Sequence, residues 1–232
     1  MEDDPMDDSG GAGRAYRAVM EPKGLKCFSL KIGESDLYVC TTGDTLEAAR
    51  DSLERHRAEL ESYLASHSTF GTSFKPVPAA SGAPGIVADM AEAGQAFDVG
   101  PMASVAGAIA QWVGTDLLAA SGEVIVENGG DIFLAGGGRR RIRIFAGADS
   151  RDVDIIVEDS AKGIGVCTSS ATVGPSVSFG AADAAATAIG NVVMRPQDIE
   201  AGLEMASSFD EVDGAVIMLQ GSMGAWGKVE IT

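Results

Sequence analysis

The run Gly180-Ala181-Ala182-Asp183-Ala184-Ala185-Ala186-Thr187-Ala188-Ile189 places one carboxylate and one hydroxyl four residues apart among small apolar neighbours. On a helix, residues i and i+4 share a face, so Asp183 and Thr187 point the same way. Alanine fills little space, so another backbone or a flat ligand can lie close to such a wall. Two oxygens projecting from it suit a hard cation such as Mg²⁺, which takes oxygen ligands and keeps waters and ligand phosphates as well. The plainer alternative is that Asp183 caps a helix start and Thr187 fills space.

Three further clusters carry chemistry. In Val126-Glu127-Asn128-Gly129-Gly130-Asp131-Ile132-Phe133, paired glycines after a strand would let backbone N–H groups face a ligand. Asn128 and Asp131 would then bond the edges of a base or flavin ring. The alternative is a hairpin turn, for which Asn-Gly is a strong signal. In Cys167-Thr168-Ser169-Ser170-Ala171-Thr172-Val173-Gly174, four hydroxyls follow a buried strand. They suit a phosphate or a heterocycle's carbonyls, or form a polar loop. The two histidines, His56 and His67, sit together on a distant segment, which disfavours a Ser-His hydrolase. In Arg139-Arg140-Arg141-Ile142-Arg143, alternate arginines share one strand face; they bind an anion or guard an exposed sheet edge.

The elements that must position these groups follow from periodicity. Strands are expected at Tyr16 to Met20, Leu25 to Ile32 and Asp36 to Thr41, with Gly33-Glu34-Ser35 as the turn between the last two. Asp44-Thr45-Leu46-Glu47 reads as a capping box, with Asp44 at the N-cap of a helix reaching about His67. Its apolar stripe is Leu46, Ala49, Leu53, Leu60 and Leu64. Phe70 to Pro84 reads as loop. A shorter helix follows, about Pro84 to Ala96 with Pro84 near N1, then a long one from Met102 to Ser121. Ala103, Ala106, Gly107 and Ala110 make a small-residue seam on that helix, for a neighbouring helix or a ligand. Strands follow at Glu123 to Glu127, Ile132 to Ala135, Arg139 to Ala146, Asp152 to Glu158 and Gly163 to Cys167. Helices are expected at Ala181 to Val193 and Pro196 to Ser207, and strands at Ala215 to Leu219 and Gly227 to Ile231. Strands and helices come in blocks, which favours α+β with largely antiparallel sheets.

Composition bounds the function. The chain has 232 residues, 34 acidic against 17 basic, and a net charge of −17. That field repels nucleic acid and anionic membranes. No apolar run is long enough to span a bilayer. Met1 to Gly13 is acidic and Gly-rich and reads as a disordered tail, with one domain from 14 to 232. The N-terminal residues lack the basic-then-apolar order of a secretory signal, so a cytoplasmic location is expected. Cys27, Cys40 and Cys167 match no zinc or disulfide framework, and all three are expected to be reduced.

Taken in order, Gly100-Pro101-Met102-Ala103, Val126 to Phe133, Thr168-Ser169-Ser170 and Ala182 to Ala188 resemble the ApbE-like flavin transferase superfamily. The match is nearest to its subfamily from archaea and anaerobic bacteria, and it spans most of the chain from Tyr16. The resemblance implies an α+β, T-fold-like architecture with two similar halves around a flavin site. It implies FAD and Mg²⁺ as cofactors, and FMN transfer to a Thr or Ser of a cytoplasmic acceptor protein. Asp183 and Thr187 would be the catalytic metal ligands. Gly107, Asn128, Gly129, Gly130, Asp131, Thr168, Ser169 and Ser170 would line the flavin nucleotide. The chain departs from the family at two places: Ala106 stands where transferases carry Lys, and no His-Ile-x-Asp-Pro segment follows Thr172. The alternative implied by the subfamily is a non-transferase accessory protein of sulfur assimilation and homocysteine formation that uses the same pocket.

Overall fold

The computed structural model describes residues 15–20, 22–144, 152–157, 163–169, 172–176 and 179–231. The tail reading of residues 1–13 and the site residue Ser170 lie outside them, as do the strand ends at Phe145, Ala146 and Glu158.

Four strands and four helices build the first half. β1 (Lys26–Ile32) and β2 (Ser35–Thr41) form a hairpin, α1 (Leu46–Ser66), α2 (Ser68–Thr72), α3 (Gly85–Ala96) and α4 (Val105–Leu117) follow, and β3 (Val124–Asn128) and β4 (Asp131–Ala135) close it. The second half repeats that plan with β7 (Ile164–Ser169), β8 (Thr172–Ser176), α5 (Phe179–Val192), α6 (Ile199–Ser207), β9 (Gly214–Leu219) and β10 (Ser222–Gly227). One sheet holds all eight strands in the order β1-β2-β3-β4-β7-β8-β9-β10, antiparallel throughout. Each half is thus hairpin, helices, hairpin, with its strands in chain order. This is the expected α+β, antiparallel, two-half architecture. Between the halves, β5 (Arg140–Ile144) and β6 (Val153–Val157) leave the main sheet and join β11 (Glu230–Ile231) in a small sheet of order β11-β6-β5.

Strand alternation assigns the two faces. Leu37 and Val39, Val124 and Val126, and Phe133 and Ala135 pack beneath the helices with Leu53, Met90, Ile109 and Val113. Cys40, Ile125, Leu134 and Val166 face the other way and pack on Ile144, Val153, Ile155 and Val157 of the small sheet. By the same parity Asn128 and Asp131 belong to the helix face and Glu127 to the opposite one.

Several sequence expectations are corrected. Tyr16 lies in a 3₁₀ turn, Ala15–Val19, and not in a strand. Thr45, not Asp44, holds the N-cap position of α1, with no side-chain cap bond; its hydroxyl instead meets the Thr41 hydroxyl at 2.9 Å. The long helix from Met102 is a 3₁₀ turn, Pro101–Ser104, followed by α4, which ends at Leu117. α2 runs into the stretch from Phe70 expected as loop, β8 takes in part of the hydroxyl-rich segment, and the strand expected at Gly227 to Ile231 is instead the end of β10 and the short β11. Cys27 and Cys40 are bonded to each other across β1 and β2, and the buried Cys167 takes no part in a disulfide.

Candidate functional site

Helix α5 reaches the site because small residues let it approach both its neighbours. Its Ala181, Ala184, Ala185 and Ala188 pack with Ala93 and Phe97 of the α3 region and with Ala103. Ala182 and Ala186 pack on Cys167 of β7. Of the small-residue seam, Ala103 packs with α5 and Ala110 with the core above the sheet, while Ala106 and Gly107 offer backbone groups, and here the first polar contact forms. Asp183, 8% exposed, accepts the Gly107 N–H at 3.0 Å. The carboxylate thus sits at the start of α4, where unpaired amides and the helix dipole favour an anion. Asp183 does cap a helix, but it is the neighbouring one.

The β3–β4 turn meets the same helix start through Asn128 and meets the Thr168 segment through Asp131. Gly129 and Gly130 form a two-residue hairpin loop between the paired residues Asn128 and Asp131, with φ of 68° and 107°. The hairpin reading of this turn holds. The Gly130 N–H does not face a ligand, since Glu127 Oε1 accepts it at 2.7 Å. Buried Asn128 donates from Nδ2 to the Ala106 carbonyl at 3.1 Å. Asp131, also buried, accepts the Thr168 N–H at 3.1 Å. Cys167 donates its S–H to the same carboxylate. A Cβ on Gly130 would lie 2.8 Å from Thr168 Oγ1, and one on Gly190 would lie 2.5 Å from Ser169 Oγ. Thr168 is exposed and Ser169 half-buried. Thr187 is half-buried, one turn along α5 from Asp183 and on the face that Gly190 turns to Ser169.

Electrostatics single out the two aspartates. Burial, opposed by the Thr168 amide and the Cys167 thiol and assisted by the Glu127 charge, pushes the Asp131 carboxyl up to about 6. Burial and then the Asp131 charge raise the Asp183 carboxyl well above its usual range, against the amides of Gly107 and Ala106. Burial and the two aspartates raise the Cys167 thiol as well. Among the described residues, no positive side chain is among the groups acting on either carboxylate. Two buried carboxylates that repel each other hold one proton between them or bind a cation. No group of three or more His, Cys, Asp or Glu is set to hold a metal among the described residues. Mg²⁺ needs only one or two carboxylates when waters and phosphates complete its shell, so these residues fit it.

Sequence reasoning missed three contributors. Glu127 is buried directly after the apolar run Val124-Ile125-Val126 of β3; a carboxylate ending such a run was the available signal. Tyr16 and Arg17 close on Glu127 from 111 and 110 residues away, with no local signal. The arginine run lies on β5, an edge of the small sheet, with Arg139, Arg141 and Arg143 exposed. It is paired with acids: Arg143 grips Asp154 at 2.7 and 2.9 Å, Arg139 meets Glu230 at 2.7 Å, and Arg140 meets Glu123. A cavity of 250 Å³ between α3, α4 and α5 is lined by Asp89, Glu92 and Glu211 with Phe97, Gln111 and Ala181. Burial raises the Asp89 carboxyl there, against the Trp112 N–H and with the Glu92 charge.

Comparison with known proteins places this geometry. Residues 17–225 match the family model described as AbpE bacteria. A UPF0280 protein of Methanocaldococcus jannaschii is 40% identical over 202 residues, 78% of this chain and 82% of that one. A UPF0280 protein of Methanosarcina barkeri is 35% identical over 200 residues, 79% of each chain. Among solved structures, the apo form of the flavinyl transferase ApbE of Pseudomonas stutzeri is similar with TM-score 0.53 and 15% identity, over 90% of this chain and 97% of that one. A mutant of the flavin transferase ApbE from Vibrio cholerae also gives TM-score 0.53, at 11% identity over 87% and 96%. No helix among the described residues is long and apolar enough to cross a membrane. The order of the four motifs, the two-half antiparallel fold and these similarities together make the chain a member of the AbpE-bacteria family, an ApbE-like group that includes the archaeal UPF0280 proteins.

Proposed function

We propose that the chain binds a flavin nucleotide, FAD or FMN, together with Mg²⁺ where α4, α5 and the β3–β4 turn meet, and that it acts as a divergent FAD:protein FMN transferase. The observation that carries this reading is convergence. Asp183 reaches Gly107 across 76 residues, Asn128 reaches Ala106 across 22, and Asp131 reaches the Thr168 amide across 37. Two motifs thus reach one helix start directly, a third joins them through Asp131, and among the described residues no positive side chain is among the groups acting on the two carboxylates.

In this reading Asp183 and Asp131 hold the metal, with the Thr187 hydroxyl one turn away as a further oxygen donor. The bound ion would supply charge neutralisation at the pyrophosphate as it breaks. The chain's own residues do the rest. Gly107 and Asn128 fix α4 against the turn. Gly129, whose Cβ position is open space, leaves room beside it. Thr168 and Ser169 offer hydroxyls next to that room.

A second reading, binding without transfer, is favoured by one observation. Ala106 uses only its backbone here, and its methyl brings no cation to a pyrophosphate where transferases carry Lys. Incubation with FAD, Mg²⁺ and a Thr- or Ser-containing acceptor separates the two. AMP release with flavin attached to the acceptor supports transfer. Saturable binding with no AMP release leaves binding alone. Absence of binding to both FAD and FMN overturns both. The cytoplasmic setting of the acceptor belongs to this proposal. The Cys27–Cys40 bond is unusual for a reducing compartment, which makes the redox state of that pair a test of the setting.

A further inference from the structure

The Gly129–Gly130 turn is gripped from behind. Glu127 is 1% exposed on the sheet face away from the helices, and its carboxylate gathers three residues besides itself. Oε1 accepts the Gly130 N–H at 2.7 Å and the Tyr16 O–H at 2.7 Å. Oε2 accepts Arg17 Nε at 2.6 Å and pairs with Nη2, also at 2.6 Å. Arg17 is itself fixed: Nη1 donates to Asp36 Oδ1 at 2.6 Å and Nη2 to the Asp36 carbonyl at 2.7 Å. Its guanidinium lies over the Tyr38 ring, 5.9 Å from the centroid. A planar fork held at both ends in this way has one orientation.

This grip has a consequence on the other face. Gly130 adopts φ of 107°, which it can reach because it has no Cβ and which its own backbone does little to hold, so the bond from its N–H to Glu127 is what restrains the turn. Its flanking residues Asn128 and Asp131 carry the polar contacts to Ala106 and to the Thr168 amide. A rotation of the turn would swing both. An ion pair serving stability alone has no need to hold the amide of that one glycine.

We propose that Arg17 is a positioning residue of the candidate flavin site: acting through Glu127, it fixes the Gly129–Gly130 turn and so aims Asn128 at the start of α4 and Asp131 at the Thr168 amide. The 3₁₀ turn that carries Tyr16 and Arg17 is then a working part of the site, although neither side chain lies on its face. The inference rests on the flavin reading of that site.

The test uses Arg17→Gln, Arg17→Lys and Tyr16→Phe in the full chain, with two readouts. The first is residue-resolved amide exchange at Gly130 and Thr168, which needs no ligand. The second is FAD affinity in the presence of Mg²⁺ by calorimetry. Arg17→Gln should speed exchange at both amides by about tenfold or more while amides of α1 keep their protection, and should weaken FAD binding by about tenfold. Arg17→Lys, which keeps the charge but not the fork, should recover only part of each effect. Tyr16→Phe removes one O–H, keeps Arg17 and retains the fold, so it carries the test if Arg17→Gln does not fold; it should show a smaller shift of the same kind. Unchanged exchange at Gly130 and Thr168 overturns the proposal, as does lowered melting temperature with unchanged FAD affinity, which would make the network structural only. A wild-type chain that binds no FAD overturns the flavin reading, and the exchange readout then still decides whether Arg17 governs the turn.

Discussion

Asp131→Asn should make the metal-free protein more stable at neutral pH. Burial lifts this carboxyl from 3.8 to about 6. A lift of about 2 units corresponds to about 3 kcal/mol between the two protonation states. The sign follows from proton binding. Between the unfolded and folded values the folded chain holds a proton that the unfolded chain has lost. The contribution therefore favours folding fully below about pH 4 and is lost as pH rises through about 6. Above that, the folded protein carries a buried charge facing Asp183. Asparagine removes the charge and keeps an oxygen for the Thr168 N–H, at a cost of about 1 kcal/mol for the weaker bond. A net gain of about 2 kcal/mol at pH about 8 remains, or roughly 4–8 °C in melting temperature for a chain of this size. Thermal unfolding followed by circular dichroism, with chelator present, at about pH 5 and about pH 8 measures it. The variant should gain at the higher pH and gain little at the lower. Equal destabilisation at both would show that the Asp131 charge is welcome in the fold, and the reasoning about an unpaired carboxylate pair would fail.

Three other outcomes follow from the geometry. Mg²⁺ at about a hundred times its dissociation constant should stabilise the wild type by about 2.7 kcal/mol, and Asp183→Ala should abolish that increment in unfolding titrations. The same substitution should cost the metal-free fold only about 0.5–2 kcal/mol for the lost α4 cap, offset by relief of the Asp131 repulsion. Gly130→Ala, at φ 107° and against Thr168 Oγ1, should cost about 1–3 kcal/mol and weaken FAD binding, whereas Gly129→Ala, in open space at φ 68°, should cost about 1 kcal/mol, both read by denaturant melts. Alkylation of the denatured chain before and after reduction, read by mass spectrometry, should find one thiol in the oxidised chain, Cys167, and three after reduction; three before reduction would mean that Cys27 and Cys40 stay apart in the cell.

Much of this was legible because period and burial agree. Asp183 and Thr187 stand on one face of α5 as their spacing requires, and the apolar alternation of β2, β3 and β4 gives the two sheet faces. Other features depend on register or on distance. A three-residue turn at Gly33 to Ser35 would set Cys27 against Thr41. The observed two-residue loop, with Ile32 opposite Ser35, sets it against Cys40, and one residue decides whether a disulfide forms. β8 contains Gly174 and Pro175, which read as loop. Its ladder to β9 runs only through Thr172 and Val173, so Pro175 stands beyond that pairing. Tyr16 and Val19 have strand-like side chains, yet their segment is a 3₁₀ turn whose Tyr16 and Arg17 are drawn to Glu127, a partner no local window contains. The capping box at Asp44 failed because Thr45 stands at the cap position and its hydroxyl pairs with Thr41 four residues earlier, one local side-chain bond taking the place of another.

The most direct measurement is calorimetric titration of FAD into the wild-type chain with Mg²⁺, with chelator in place of Mg²⁺, and into Asp183→Asn with Mg²⁺. The account predicts saturable binding at one site in the first case and a loss of about tenfold or more in the other two. Equal FAD affinity in all three, or none in the first, would contradict it.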